Sequence, residues 1–141
     1  YWKNPEATAE VFNDDGWFKS GDLGYFDGPF LHIVDRVKDL VIRGGENISC
    51  IEVEAAIYEH SDVLEACIIG IPDERLGEQV ASAVHLKAGV ELSQEDIQKF
   101  LAGKIAAFKI PFEVRFFKDP LPKIASGKFD KPALREIFSN D

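Results

Sequence analysis

The chain has 141 residues, 45% of them apolar and 29% charged, which suits one ordinary domain or a small domain with part of another. Its net charge of −9, with no basic stripe to offset it, argues against nucleic acid as a main partner, and no apolar run approaches the length of a membrane span. It opens on Tyr1 without a signal-peptide pattern and holds no methionine, so it is expected to be a piece of a longer protein.

Asn4-Pro5 and Asp14-Asp15-Gly16 are turn signals, and a short helix is predicted between them over Ala7–Phe12. Trp17 and Phe18 call for a core that their neighbours are too few to build, so that core is expected in the missing part of the protein. Ser20-Gly21-Asp22-Leu23-Gly24 then sets a carboxylate between two glycines. It is either a turn in which Asp22 satisfies backbone N–H groups or a loop carboxylate that accepts hydrogen bonds from a ligand's hydroxyls, such as a ribose diol. A hairpin follows, with Tyr25-Phe26 and Phe30–Val34 joined at Asp27-Gly28-Pro29.

The stretch Val34–Glu54 is the densest in signals. A charged knot, Asp35-Arg36-Val37-Lys38-Asp39, leads to a short strand over Leu40–Arg43 and then to Gly44-Gly45. The knot is either an ordinary solvated turn or a joint whose charges a ligand reads. Two successive glycines permit positive φ or the close approach of a ligand. Ser49-Cys50-Ile51-Glu52 has the S-x-x-E spacing of a capping box and predicts a helix from about Cys50 to His60, with Val53, Ala56 and Ile57 on one face.

Val63–Ile71, VLEACIIGI, and Val80–Leu86, VASAVHL, are apolar enough for buried strands, with the polar loop Pro72–Glu78 between them. Ser93 and Asp96 form a capping-box variant. They open a helix whose Ile97, Phe100, Leu101, Ile105 and Phe108 recur at helical spacing. Pro111 ends that region, Glu113–Phe117 predicts a third strand, and Asp130 caps a last helix holding Ala133–Phe138. From about Asp39 onward this predicts a small α+β domain, with helices packed on a three-stranded, mostly antiparallel sheet. In the tail, Gly127-Lys128 lies on a loop between Pro122 and Pro132. A lone Gly-Lys is commonly just solvated. A tethered, positionable ammonium is also what phosphoryl or carboxyl chemistry requires. Cys50 and Cys67 form no C-x-x-C and predict a reducing, cytoplasmic compartment. His32, His60 and His85 lack ligand spacing, so no protein-built metal site is expected.

Four segments occur in a set order: GWFKSGDLG at Gly16–Gly24, DRVKDLVIRGGENI at Asp35–Ile48, IPDERLGE at Ile71–Glu78 and PKIASGK at Pro122–Lys128. Together they resemble the C-terminal portion of the adenylate-forming enzymes, the acyl-CoA synthetase or AMP-dependent ligase superfamily. The GGEN form of the second segment is most similar to fatty-acyl and aryl-CoA ligases. The resemblance implies that residues 1–34 end a large N-terminal AMP-binding domain, that 35–39 form a hinge and that 40–141 form a mobile C-terminal domain. It implies a two-step reaction in which a carboxylic acid attacks the α-phosphate of Mg2+-bound ATP and CoA then takes the acyl group. By motif position, Lys128 would be catalytic, and Asp22, Arg36 and Asn47 would contact the nucleotide. Lys38 would be the hinge residue, and Gly44 and Gly45 would line the path of the pantetheine thiol. Mg2+ would come with ATP and not be bound by this chain. The partners implied are the protein's own N-terminal domain, ATP, CoA and a carboxylic acid, and the chain alone would be inactive. Two other readings are a ligase that stops at acyl-AMP or loads a carrier protein, and a non-catalytic nucleotide-binding or interaction module of the same fold. Two departures stand out: Cys50 occupies a position where proline often opens the helix, and the Asp27-Gly28-Pro29 tip is one residue short, which blurs the spacing from Asp22 to Arg36.

Overall fold

The computed structural model describes residues 1–140. The chain forms two compact units that divide between Lys38 and Asp39.

The first unit opens with α1, Pro5–Val11, which starts two residues before the predicted helix. The Asn4 side chain accepts the Ala7 N–H at 3.0 Å, and Pro5 occupies the first turn, where its missing N–H costs nothing. Strands β1, Asp22–Asp27, and β2, Phe30–Arg36, pair antiparallel. The ladder slips at Leu23/Gly24: Leu23 faces Asp35 while Gly24 faces Ile33, so Val34 is the extra residue of a bulge. Gly24 is needed there, because a Cβ on it would stand 2.6 Å from the His32 carbonyl oxygen. The bulge restores the register that the short tip disturbs, and Asp22 pairs with Arg36. A two-stranded ribbon has too little surface to bury its own side chains. Trp17 and Phe26 are accordingly each 75% exposed.

The second unit is built around a sheet. After a 3-10 turn at Val37–Asp39 that spans the junction, β3, Val41–Arg43, and β4, Glu46–Ile48, form a hairpin across Gly44-Gly45. Helix α2, Cys50–Tyr58, leads to β5, Val63–Asp73, and β6, Gly77–Leu86. Helix α3, Gln94–Leu101, crosses to β7, Glu113–Phe117, and α4, Lys131–Ser139, closes the unit. The class is α+β as predicted, but the sheet has five strands, not three. β6 is central: β5 pairs along its whole length, while β3 at Gly77 and β7 at Ala81–His85 share its other side. The β6–β7 pairing is parallel and the others are antiparallel. β4 went unpredicted because three residues between a glycine turn and a helix cap are too few to show alternation.

Both faces of the sheet are covered, which is why β5 and β6 are nearly continuous apolar runs. Ala66, Ile68, Val80 and Val84 face Val53 and Ile57 of α2 and Ile97 and Leu101 of α3. The alternate residues Cys67, Ile69, Ala81 and Ala83 face Leu134 and Phe138 of α4. Helix α3 stops at Leu101, short of the predicted Ile105 and Phe108. Ala102 is already extended (φ −60°, ψ 125°) and Gly103 follows at φ 82°, a type II turn in which the Lys104 N–H donates to the Leu101 carbonyl, and Phe108 belongs to a separate 3-10 turn at Ala107–Lys109. The Ser93–Asp96 box is complete in both directions. At α2, Ser49 Oγ accepts the Glu52 N–H, while the Glu52 carboxylate pairs with Lys109 Nζ at 2.7 Å.

Candidate functional site

Within the first unit, the register at the end of the β1–β2 ribbon sets Asp22 across from Arg36. Arg36 Nε donates to Asp22 Oδ1 at 3.1 Å, and the Ser20 hydroxyl accepts the Asp22 N–H at 3.1 Å. The pair is partly open, with Asp22 35% and Arg36 44% exposed. An exposed pair of this kind contributes at most about 1 kcal/mol, so stability alone is a weak reason for it. Chemically it offers a carboxylate acceptor beside guanidinium donors, which fits a diol next to a phosphate. Lys38 lies exposed in the turn at the division between the units.

Within the second unit, Gly44 and Gly45 are the two turn residues of the β3–β4 hairpin, with φ of 58° and 89°. Positive φ at both positions is the signature of a type I′ turn, which favours glycine at each, so the turn itself accounts for the pair. The hairpin is fastened to the β5–β6 turn at several points. The Gly44 N–H donates to the Leu76 carbonyl at 2.8 Å, Arg43 Nε to Gln79 Oε1 at 2.7 Å, and the Ile42 N–H to Glu78 Oε2 at 2.7 Å. Asp73 Oδ1 accepts the N–H groups of Leu76 and Arg75, and the Leu76 bond foremost holds its carboxyl below the ordinary aspartate range. Asn47 stands exposed on β4, opposite Ile42.

Lys128 is carried by a second small hairpin. The Asp130 N–H donates to the Pro122 carbonyl at 2.8 Å and the Ile124 N–H to the Lys128 carbonyl at 2.9 Å, while Lys123 bridges Phe129. The Gly127 N–H closes the tip onto Ile124 with Gly127 at φ 83°. Lys128 therefore directly follows a left-handed glycine. Among the described residues its exposed ammonium has no ion pair or hydrogen bond, whereas the nearby Lys123 and Lys131 ammoniums are matched by Glu65 and Glu54.

The structure thus brings Asp22 and Arg36 into contact and groups Gly44, Gly45 and Asn47 on one hairpin, with Lys128 on another. Sequence reasoning missed the carboxylates that fasten the two hairpins, Glu78 and Glu65. Their signal was present: Glu65 interrupts an otherwise apolar strand, and Gly70, inside the same strand, marks where another group comes close.

Residues 52–128 match the family described as the AMP-binding enzyme C-terminal domain. The chain belongs to that family. Over 139 residues it is 45% identical to an oxalate–CoA ligase of Arabidopsis thaliana, covering 98% of the chain and 27% of the relative. The mitochondrial medium-chain acyl-CoA ligase ACSF2 of Danio rerio is 42% identical over 137 residues, covering 96% of the chain and 22% of the relative. Among solved structures, ATP-bound MatB from Rhodopseudomonas palustris superposes with a TM-score of 0.88 at 39% identity, covering 99% of this chain and 28% of that one. The chain spans about a quarter of the length of the curated relatives it matches. Among the described residues, no helix is long and apolar enough to cross a membrane.

Proposed function

We propose that this chain is the C-terminal part of an acyl- or aryl-CoA synthetase, which converts a carboxylic acid and ATP to acyl-AMP and then transfers the acyl group to CoA. One observation carries the reading: Lys128, whose ammonium has no ion pair or hydrogen bond among the described residues, stands on a hairpin whose neck is pinned by hydrogen bonds. A preorganised cation of this kind stabilises charge passing between a carboxylate and an α-phosphate without reorganising at the moment of reaction. Asp22 accepts hydrogen bonds from the ribose hydroxyls, Arg36 contacts the same sugar-phosphate region, and Asn47 approaches the nucleotide. Mg2+ arrives with ATP. Residues 1–34 belong to the large N-terminal AMP-binding domain, onto which the exposed Trp17 and Phe26 dock. Residues 35–39 form the hinge and 40–141 the mobile domain. Rotation about Lys38 withdraws Lys128 after adenylation and brings Gly44 and Gly45 to the pantetheine thiol. Thiols without a disulfide support a reducing, cytoplasmic setting.

The test uses the full-length protein with oxalate and octanoate, following pyrophosphate release and thioester formation separately. Lys128→Ala should lower adenylation by about 10²–10³, the usual cost of losing one preorganised donor. Thioester formation from supplied acyl-AMP should fall far less. Equal loss in both half-reactions would remove Lys128 from this role. Pyrophosphate release with no transfer to CoA would point to a carrier-protein acceptor, and no release with any acid to a non-catalytic module.

A further inference from the structure

The Lys128 hairpin meets the sheet at one carboxylate. Glu65 lies on β5, an outer strand of the sheet, where it interrupts the apolar run of Val63–Ile71. Its side chain is only 17% exposed, which for a carboxylate is costly unless its oxygens are matched by donors. Both are matched, and both donors come from the approach to the hairpin. One oxygen accepts the Leu121 N–H at 2.7 Å, and the other pairs with Lys123 Nζ. Leu121 and Phe129 anchor the same segment in the core beneath α4. Lys123 bridges Phe129, its ammonium lies 5.5 Å from the Phe129 ring centroid, and Phe129 directly follows Lys128. The chain of contacts from Glu65 through Lys123 and Phe129 therefore ends one residue from the reactive ammonium.

We propose that Glu65 is a positioning residue for adenylation: by fixing the neck of the hairpin through Leu121 and Lys123, it sets where the Lys128 ammonium stands. This rests on the role given to Lys128 above. The carboxylate touches no substrate. It acts by removing slack from a short lever, and misplacing a catalytic group by about 1 Å can cost up to about 10²-fold in rate. A residue that merely stabilised the domain would affect both half-reactions alike and would matter whether or not Lys128 were present.

The experiment is a double-mutant cycle in the full-length protein, using whichever of oxalate and octanoate releases pyrophosphate faster. Glu65→Gln should slow adenylation about tenfold while leaving thioester formation from supplied acyl-AMP within about twofold. In the Lys128→Ala background the same substitution should have no further effect on adenylation. Lys123→Ala, at the more exposed end of the clamp, should reproduce the selective loss without threatening the fold. Hydrogen exchange needs no substrate: in Glu65→Gln the Ile124 and Gly127 amides should exchange about tenfold faster, with Val80–Val84 unchanged. Unchanged exchange at those amides overturns the proposal. So does equal loss in both half-reactions for both variants, or a full tenfold loss that persists without Lys128. If Lys128→Ala alone leaves adenylation intact, the reading of Lys128 fails first; if it impairs adenylation and Glu65→Gln does not, the positioning role alone is lost.

Discussion

At the scale of single residues, the clamp has an acid–base signature of its own. Burial pushes the Glu65 carboxyl up, but the Lys123 ammonium and the Leu121 N–H outweigh it and hold the group below its ordinary value of 4.5. A depressed carboxyl contributes stability that is present above that value and lost as pH falls through the lower one. The hairpin neck should therefore loosen only as pH falls below 4.5. In Lys123→Ala the opposing burial remains and the chief compensation goes, so the Glu65 midpoint in a carboxyl NMR titration should rise. No rise would mean that the ion pair is incidental. The residues to which chemistry is assigned in the proposal could be named from the sequence, because Asp22, Arg36 and Lys128 stand in segments whose order is itself informative. The residues that position them were missed. Glu65 and Glu78 act through contacts with residues far along the chain, Lys123 in one case and Ile42 in the other; a charge in an apolar run and a glycine beside it mark the places, but nothing local names the partners.

At the scale of elements, the β5–β6 hairpin supports the glycine hairpin of β3 and β4. The Glu78 carboxylate crosses over Gly70 to reach the Ile42 N–H, and a Cβ at Gly70 would stand 2.7 Å from Glu78 Oε1. Gly70→Ala should therefore displace the carboxylate and release the β3 edge. The Ile42 amide should exchange faster, and stability should fall by about 1 kcal/mol, the net worth of one hydrogen bond. On the proposed roles, thioester formation should suffer more than adenylation. Retention of Ile42 protection, read by hydrogen exchange, would show that Glu78 does not hold the edge. Long elements were readable because burial on both faces left near-continuous apolar runs, and β7 matches its predicted span of Glu113–Phe117. Elements failed where two signals competed. At α3, the helical spacing of Ile105 and Phe108 outweighed Ala102-Gly103, yet the chain leaves the helix there, because Ala102 turns extended and Gly103 takes positive φ in a tight turn.

At the scale of the whole molecule, the division between units falls beside Lys38, inside a 3-10 turn of three residues. Proline at that position fixes φ and biases Val37 away from the helical torsions the turn uses. On the hinge proposal, Lys38→Pro should favour one domain orientation over the other. One half-reaction should stay near normal and the other slow strongly, with circular dichroism unchanged. Lys38→Ala should be mild, since backbone torsion matters here more than the ammonium. If proline changes neither half-reaction, the turn is not a joint.

The two cysteines give the folded domain a pair of internal clocks. Cys50 is sealed in the layer beneath α2 and α3, and Cys67 in the layer beneath α4, where burial pushes its thiol up to about 12. A thiol reagent in the solvent can reach neither until its own layer parts, because only an exposed thiolate reacts. Labelling at Cys67 therefore times the lifting of α4, and labelling at Cys50 times the loosening of the opposite layer. Equal rates would mean that the sheet surrenders both faces in one event. Unequal rates would rank the two layers by how often each breathes, in a protein that needs no engineered cysteine to report it.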